Sequence, residues 1–303
     1  MTRRTARAAA VVAAVGATTL LAGCVTNAEG GNPDGWTPIV PEEVPEIAAL
    51  VPDEVAADGV LSVGTNPPFA PFEFKDSEGE IIGVEMDLAA AMAGVMGLDF
   101  QPVEQDFAMI LPALQSGTVD MGVSGFTDTE ERREGFDFVN YLYAGIQWAQ
   151  QTGDEINPAD PCGLTVSVQR TTVSETDDVR PKAEACEESG QEAITVLSYD
   201  TSDNAALATL IGRADAFSAD SPVTSWAVNR SDGELELVGD IFDAAPYGFA
   251  VNKGSELGPA AAAALQHLIE TGEYAEILAQ WSIEDGLVET ALINEQPVEG
   301  ISK

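Results

Sequence analysis

The stretch GTVDMGVSGFTDTEERR, residues 117–133, decides the reading of the fold. Gly117 stops a helical pattern, and Thr118 to Ser124 reads as a buried strand. Thr127-Asp128-Thr129-Glu130 then fits a capping box, so a helix is expected to start there and run through Glu131, Arg132 and Arg133. Helix, strand and helix in such close succession argue for βα units around a largely parallel sheet.

The same plan extends outward. Val60 to Thr65 reads as the first strand, and the segment Val84 to Met96 puts Val84, Leu88, Met92 and Val95 on one helical face before Gly97. Asp106 can cap a helix carrying Phe107, Ile110, Leu111 and Leu114, with Pro112 expected to kink it. In the second half, Leu207 to Ile211 looks helical, Gly212 ends it, Ala214 to Ser218 reads as a strand, and Asp220-Ser221-Pro222 follows. Aligning Gly117 with Gly212 sets Asp120 on Asp215, Ser124 on Ala219 and Gly125 on Asp220. Ligands of open α/β sheets meet the loops beyond the carboxyl ends of strands, so both segments would face one cleft between two lobes.

What could that cleft hold? Free backbone N–H groups at the expected helix start, the hydroxyls of Ser124 and Thr127, and the Arg132 guanidinium together suit a carboxylate. The alternative is that Arg132 and Arg133 pair with Glu130, Glu131 or Glu134 on a solvated face. Asp220, acceptor-only when ionised, suits an ammonium group; it could equally be a turn residue before Ser-Pro. Phe69 and Phe72 lie on the loop PPFAPF, residues 67–72, just after the first strand.

Catalytic and cofactor patterns are absent. Gly122-Val123-Ser124-Gly125 lacks the spacing of a nucleophile elbow, no phosphate-cradling Gly-rich loop carries a Lys, and zinc-type Cys and His spacings are missing around the lone His267. No catalytic residue, metal or cofactor is expected. Among 303 residues, 51 Asp and Glu stand against 13 Lys and Arg, a formal charge of -38, which excludes a phosphate-backbone partner.

The N-terminus indicates export. Arg3, Arg4 and Arg7 precede an uncharged stretch, Ala8 to Leu20, that is too short to span a bilayer, then Leu21-Ala22-Gly23-Cys24. That last tetrapeptide resembles the bacterial lipobox, which implies cleavage after residue 23 and a lipid on Cys24; an ordinary signal with an incidental Cys is the alternative. Five prolines between Val25 and Pro52, with Gly30, Gly31 and Gly35, favour an extended tether that holds the domain off the membrane. Cys162 and Cys186 remain, and an even pair in an exported protein reads as one disulfide closing a loop of about 25 residues, contributing roughly 3 kcal/mol.

Taken together, these residues resemble the bacterial extracellular solute-binding proteins of family 3, the polar amino-acid receptors of ABC importers, from about Leu61 to Trp281. The matching motifs are Phe69-Ala70-Pro71-Phe72, Gly83 to Leu88, Asp106 to Gly117, Ser124 to Arg132, Tyr247-Gly248-Phe249-Ala250-Val251, and Gly272-Glu273-Tyr274 to Trp281.

The resemblance implies a periplasmic-binding-protein-like type II fold: two α/β lobes joined by two crossing hinge strands, near Gln147 to Gln151 and Tyr247 to Val251. The expected division is a signal peptide 1–23, a lipidated tether 24–58, a first lobe 59–147 plus 251–303, and a second lobe 148–250. It implies that Arg132 binds the ligand's α-carboxylate, with donors from Gly125, Thr127 and Ser124, and that Asp220 accepts from the α-ammonium. Phe69 and Phe107 would sandwich the ligand, Thr172 would add a second-lobe hydroxyl, and Asn66 would line the side-chain pocket. Departures are Thr171 where relatives carry Gly, Asn66 where many carry Asp, and Gln169 where some carry Lys.

The expected protein is a lipid-anchored monomer on the extracellular face of the cell membrane. It would capture an α-amino acid, polar or neutral, and deliver it to a permease with ATPase subunits. The alternative is a dehydratase-like enzyme acting on prephenate on the same scaffold, with Glu175 or Asp177 as a general acid; a signalling sensor is a third reading without support after Trp281.

Overall fold

A computed structural model describes residues 31–298. The leader and the lipidation position Cys24 lie outside these residues. Among the described residues no helix is long and apolar enough to cross a membrane.

Neighbouring strands of the main sheet follow the order Asp99–Glu104, Val60–Thr65, Met121–Gly122, Leu235–Asn252, Phe136–Gln151, Ala216–Asp220, Thr165–Gln169, Thr195–Tyr199. The outer strands on each side are parallel to their neighbours, whereas the two central ones run antiparallel to each other. Two α/β lobes thus meet at Phe136–Gln151 and Leu235–Asn252, which serve both. Ala250 pairs with Gly122 in the first lobe, and Ile146 pairs with Asp220 in the second. Register shifts fall between Val238 and Phe242, between Phe242 and Ala245, and between Tyr247 and Gly248. The Gln147 to Gln151 and Tyr247 to Val251 ranges expected as crossings lie within these two long strands.

Each lobe closes over apolar faces of its own. Helices Val84–Val95 and Leu257–Thr271 cover the first lobe with Leu88, Met92, Ala261 and Leu265, all inaccessible to solvent. Val166, Val168, Trp148 and Val179 form the core of the second. The internal repeat has a physical basis. Asp120 Oδ2 accepts from the Ser62 backbone N–H at 2.8 Å, and Asp215 Oδ2 accepts from the Thr165 backbone N–H at 2.7 Å. Each Asp therefore ties the start of its strand to the neighbouring parallel strand, so the equal Gly-to-Asp spacing reflects the same structural task in both lobes.

Several local expectations are corrected. The strand expected from Thr118 to Ser124 is only Met121–Gly122, because the chain curves away into the site. The helix Phe107–Gln115 continues through Pro112. The second-half helix is longer than its apolar signal, Ser202–Leu210, and the strand after it is Ala216–Asp220. From Pro33 onward the expected tether is laid on the domain: Trp36 Nε1 donates to Asp87 Oδ2 at 2.7 Å, and Ile39, Val44 and Ile47 pack against the first-lobe core. The prolines there favour an extended chain, but the apolar residues between them gain more by burial than a free tether would. Cys162 and Cys186 are joined, tying the segment before Thr165–Gln169 to helix Arg180–Glu188.

Candidate functional site

The site lies where the two lobes face each other beyond Thr65, Gly122, Gln169 and Asp220, the carboxyl ends of four strands. Arg132 is on a single helical turn, Glu130–Arg133. Its cap is Thr129, whose side chain accepts from the Arg132 N–H at 3.2 Å; the expected capping box from Thr127 to Glu130 is thereby corrected by two positions. One turn carries little dipole, so the guanidinium is the main source of positive potential here.

That guanidinium is built in. Arg132 Nη1 donates to the Thr127 carbonyl at 2.8 Å, while Nη2 donates across the cleft to the Thr171 carbonyl at 3.3 Å. Its carbon sits 5.8 Å from the Phe107 ring centroid and 5.5 Å from that of Phe126, two rings stacked on each other at 4.8 Å. Desolvation lowers its pKa, opposed by the charges of Asp220 and Asp177 and by Tyr247 and Glu131, and an arginine remains charged regardless. The alternative in which Arg132 pairs on a solvated face does not hold. Arg133 takes that role, bonding Asp128 at 2.5 Å and Glu295 at 2.7 Å.

Asp220 ends a second-lobe strand and precedes helix Ser221–Asn229 without capping it. Burial pushes its carboxyl up to about 6, with Tyr247 and the Arg132 charge pulling the other way. The Tyr247 phenol lies beside this carboxylate without completing a hydrogen bond of normal geometry. A buried carboxylate with its partner cation on the other lobe is an acceptor awaiting a donor.

The other expected residues divide into cleft and support. Phe69 and Phe107 are both buried, but they stack on different neighbours, Phe69 on Phe72 at 5.5 Å and Phe107 on Phe126. Thr127 sits at the base of Arg132 and bridges by backbone to Tyr247. Thr172 donates its hydroxyl to the Gln169 carbonyl at 2.8 Å. Ser124 gives its hydroxyl to Glu73 Oε1 at 2.5 Å, and the Gly125 N–H donates to Glu85 Oε2 at 2.9 Å, so both groups are directed beneath the cleft. Gly125 has φ +53°, and a Cβ there would stand 2.5 Å from Phe69 Cε1, so the residue type sets how close the ring can lie. Thr171, the departure from Gly, holds φ 62° in the left-handed region that glycine favours.

Sequence reasoning missed the carboxyl pair under this segment. Glu73 and Glu85 are both inaccessible to solvent; Tyr141 donates to Glu85 Oε1 at 2.7 Å, and neither Glu has an ion-pair partner among the described residues. Desolvation raises the pKa of both carboxyls, and the adjacent Glu85 raises Glu73 further. The available signal was a lone acid inside each apolar run, Phe72-Glu73-Phe74 and Val84-Glu85-Met86. A separate cavity of about 930 Å³, bordered by Tyr143, Trp226, Ile241 and Trp281, contains none of the expected site residues except the neighbour of Asp220, Ser221. No cluster of His, Cys, Asp and Glu among the described residues could hold a metal.

The chain is 63% identical to the arginine-binding protein ArgT of Corynebacterium glutamicum over 96% of both chains. An ancestral arginine-binding protein solved with arginine superposes with a TM-score of 0.68 at 33% identity, covering 74% of this chain and 98% of that one. An ancestral amino acid-binding protein, a precursor of cyclohexadienyl dehydratase, gives 0.67 at 31% identity, covering 77% and 99%. Residues 61–284 match the model of one family, and the chain belongs to it: the bacterial extracellular solute-binding proteins, family 3.

Proposed function

We propose that this chain captures an α-amino acid, with L-arginine as its ligand, and hands it to the permease and ATPase subunits of an ABC importer. The observation that carries the reading is the placement of Arg132 and Asp220 on opposite lobes of one cleft. A zwitterion engages both only when the lobes are together, so it stabilises the closed state by binding it preferentially. Each charged hydrogen bond contributes about 1.5 to 3 kcal/mol, partly offset by desolvation.

The side chain is assigned from relatives. Relatives named for arginine binding include one from Corynebacterium glutamicum and one from Pseudomonas aeruginosa. Arg132 and Asp220 match the charges of any α-amino-acid zwitterion, so the choice of side chain rests on these relatives. This replaces the expectation of a polar or neutral ligand.

The finer features belong to the same reading: cleavage after residue 23, a lipid on Cys24 that holds a monomer at the extracellular face, and a hinge at the register shifts between Phe242 and Tyr247 opposite Leu142 to Ile146. The dehydratase alternative is favoured only by the raised carboxyl of Asp220. Its expected acids offer nothing, since Asp177 is exposed and Glu175 is held ionised: burial opposes this, but Ser198, the Thr171 N–H and Arg180 outweigh it.

A thermal-shift panel of arginine, lysine, histidine and glutamine, run beside a prephenate absorbance assay, tests the proposal. The largest shift with arginine and no prephenate turnover is expected; turnover of prephenate would replace the binding reading with the enzymatic one.

A further inference from the structure

Asn66 was expected to face the ligand, yet its amide is engaged elsewhere. Its Nδ2 donates to the Gln105 carbonyl at 2.8 Å within the first lobe, and its Oδ1 accepts from Gln169 Nε2 at 2.8 Å, across to the second lobe. Gln169 is fixed in turn: Nε2 also donates to the Asp200 carbonyl at 3.1 Å, and Oε1 accepts from Ser202 Oγ at 2.9 Å. Both residues are buried, at 4% and 3% exposure, so the bridge is shielded from competing water. Every polar atom of the Gln169 amide is thus used, and the bond between the lobes involves no ligand.

We propose that Asn66 and Gln169 form a charge-neutral latch between the lobes, with Ser202 as a positioning residue that orients Gln169, so that this chain populates a closed state without ligand. The proposal rests on the two-lobed binding reading and adds to it a closure contact independent of the captured molecule.

Three features argue for a latch in place of an incidental contact. The amides are pre-oriented by bonds inside their own lobes, so closure fixes little additional side-chain freedom. Both partners are neutral, so closure does not bury an unpaired charge. On opening, water resolvates both groups, so the bond contributes only a modest net free energy and closure stays reversible. A second interlobe contact, from Arg132 to the Thr171 carbonyl, is longer and exposed and lies where a ligand carboxylate would compete. The amide bridge stays in place whichever side chain enters.

The latch also assigns a consequence to the residue type at position 66. An Asp there would present an oxygen to the Gln105 carbonyl in place of the Nδ2 donor, and the two acceptors would repel. Asn66→Asp is therefore expected to weaken closure even though one carboxylate oxygen could still accept from Gln169.

Single-molecule energy transfer between dyes placed on the two lobes, measured on the full mature chain without ligand, tests the proposal. The closed fraction is expected to fall about 3- to 10-fold in Asn66→Ala and in Gln169→Ala, no further in the double variant, and by a smaller factor in Ser202→Ala, as for loss of one neutral hydrogen bond. Single variants with the closed fraction of the parent, or losses that multiply in the double variant, would overturn it. Circular dichroism of each variant confirms folding, and Ser202→Ala keeps the test available should either amide variant unfold. Adding arginine to the same samples separates the two readings: a parent that closes without ligand but ignores arginine retains the latch and loses the ligand assignment.

Discussion

The Arg132 guanidinium reaches from the first lobe to the Thr171 carbonyl of the second at 3.3 Å, while its other nitrogen holds Thr127 at 2.8 Å. One side chain thus senses both lobes, and the carbonyl it meets belongs to a residue in the left-handed region, φ 62°. A ligand carboxylate arriving between them exchanges a weak carbonyl acceptor for a charged one.

Arg132→Ala is expected to reduce amino-acid affinity at least 100-fold, equivalent to about two charged hydrogen bonds, while the melting temperature without ligand stays within a few degrees. Titration calorimetry and a thermal scan measure the two effects separately. Arg132→Lys should recover little, because an ammonium cannot reproduce the planar fork.

Binding should weaken in acid. Asp220 has a free-state carboxyl pushed up to about 6, and a ligand ammonium favours its ionised form. Below that pH the proton competes with the ligand, so the affinity is expected to fall by up to tenfold per pH unit as pH drops from 6 to 4, with one proton released per ligand bound. Affinity flat across this range would contradict the ammonium role. For folding alone the sign is opposite: a carboxyl raised on folding stabilises the ligand-free fold most when protonated, and that contribution declines as pH rises through about 6.

Gly125→Ala should destabilise the protein by about 1 to 3 kcal/mol, since the new methyl meets Phe69 Cε1 at 2.5 Å and φ is +53°. Displacing Phe69 should also weaken ligand binding. Chemical denaturation with a parallel titration reads both effects. By contrast, Thr171→Gly removes left-handed strain at an exposed position and should be neutral or stabilising by up to about 1 kcal/mol.

Reduction of the Cys162 and Cys186 bond should lower stability by about 3 kcal/mol without removing binding, because the crosslink lies away from Arg132 and Asp220. Denaturation with and without reductant gives the comparison.

Residues 117–133 show how far local sequence reaches. The order of strand end, polar loop and basic residue was legible because Gly117, Thr127 and Arg132 each leave local signals. The cap is ambiguous locally because several of Thr127, Asp128, Thr129 and Glu130 can start a helix, and only packing selects Thr129. Residues with distant partners were not legible. Asn66 and Gln169 are 103 positions apart, and Glu73 needs both Ser124 and Glu85, so their roles arise only when the lobes and layers assemble. The packing of residues 33–52 is hidden for a related reason: Trp36 shares Asp87 with Trp281, a contact that composition does not reveal.

Calorimetric titration of the mature protein with L-arginine, and in parallel with L-arginine methyl ester, tests the central claim most directly. One site per chain for arginine and at least 100-fold weaker binding of the ester, whose carboxylate is blocked, is the predicted result. No binding of arginine, or equal binding of the ester, would contradict an α-amino-acid site built on Arg132 and Asp220.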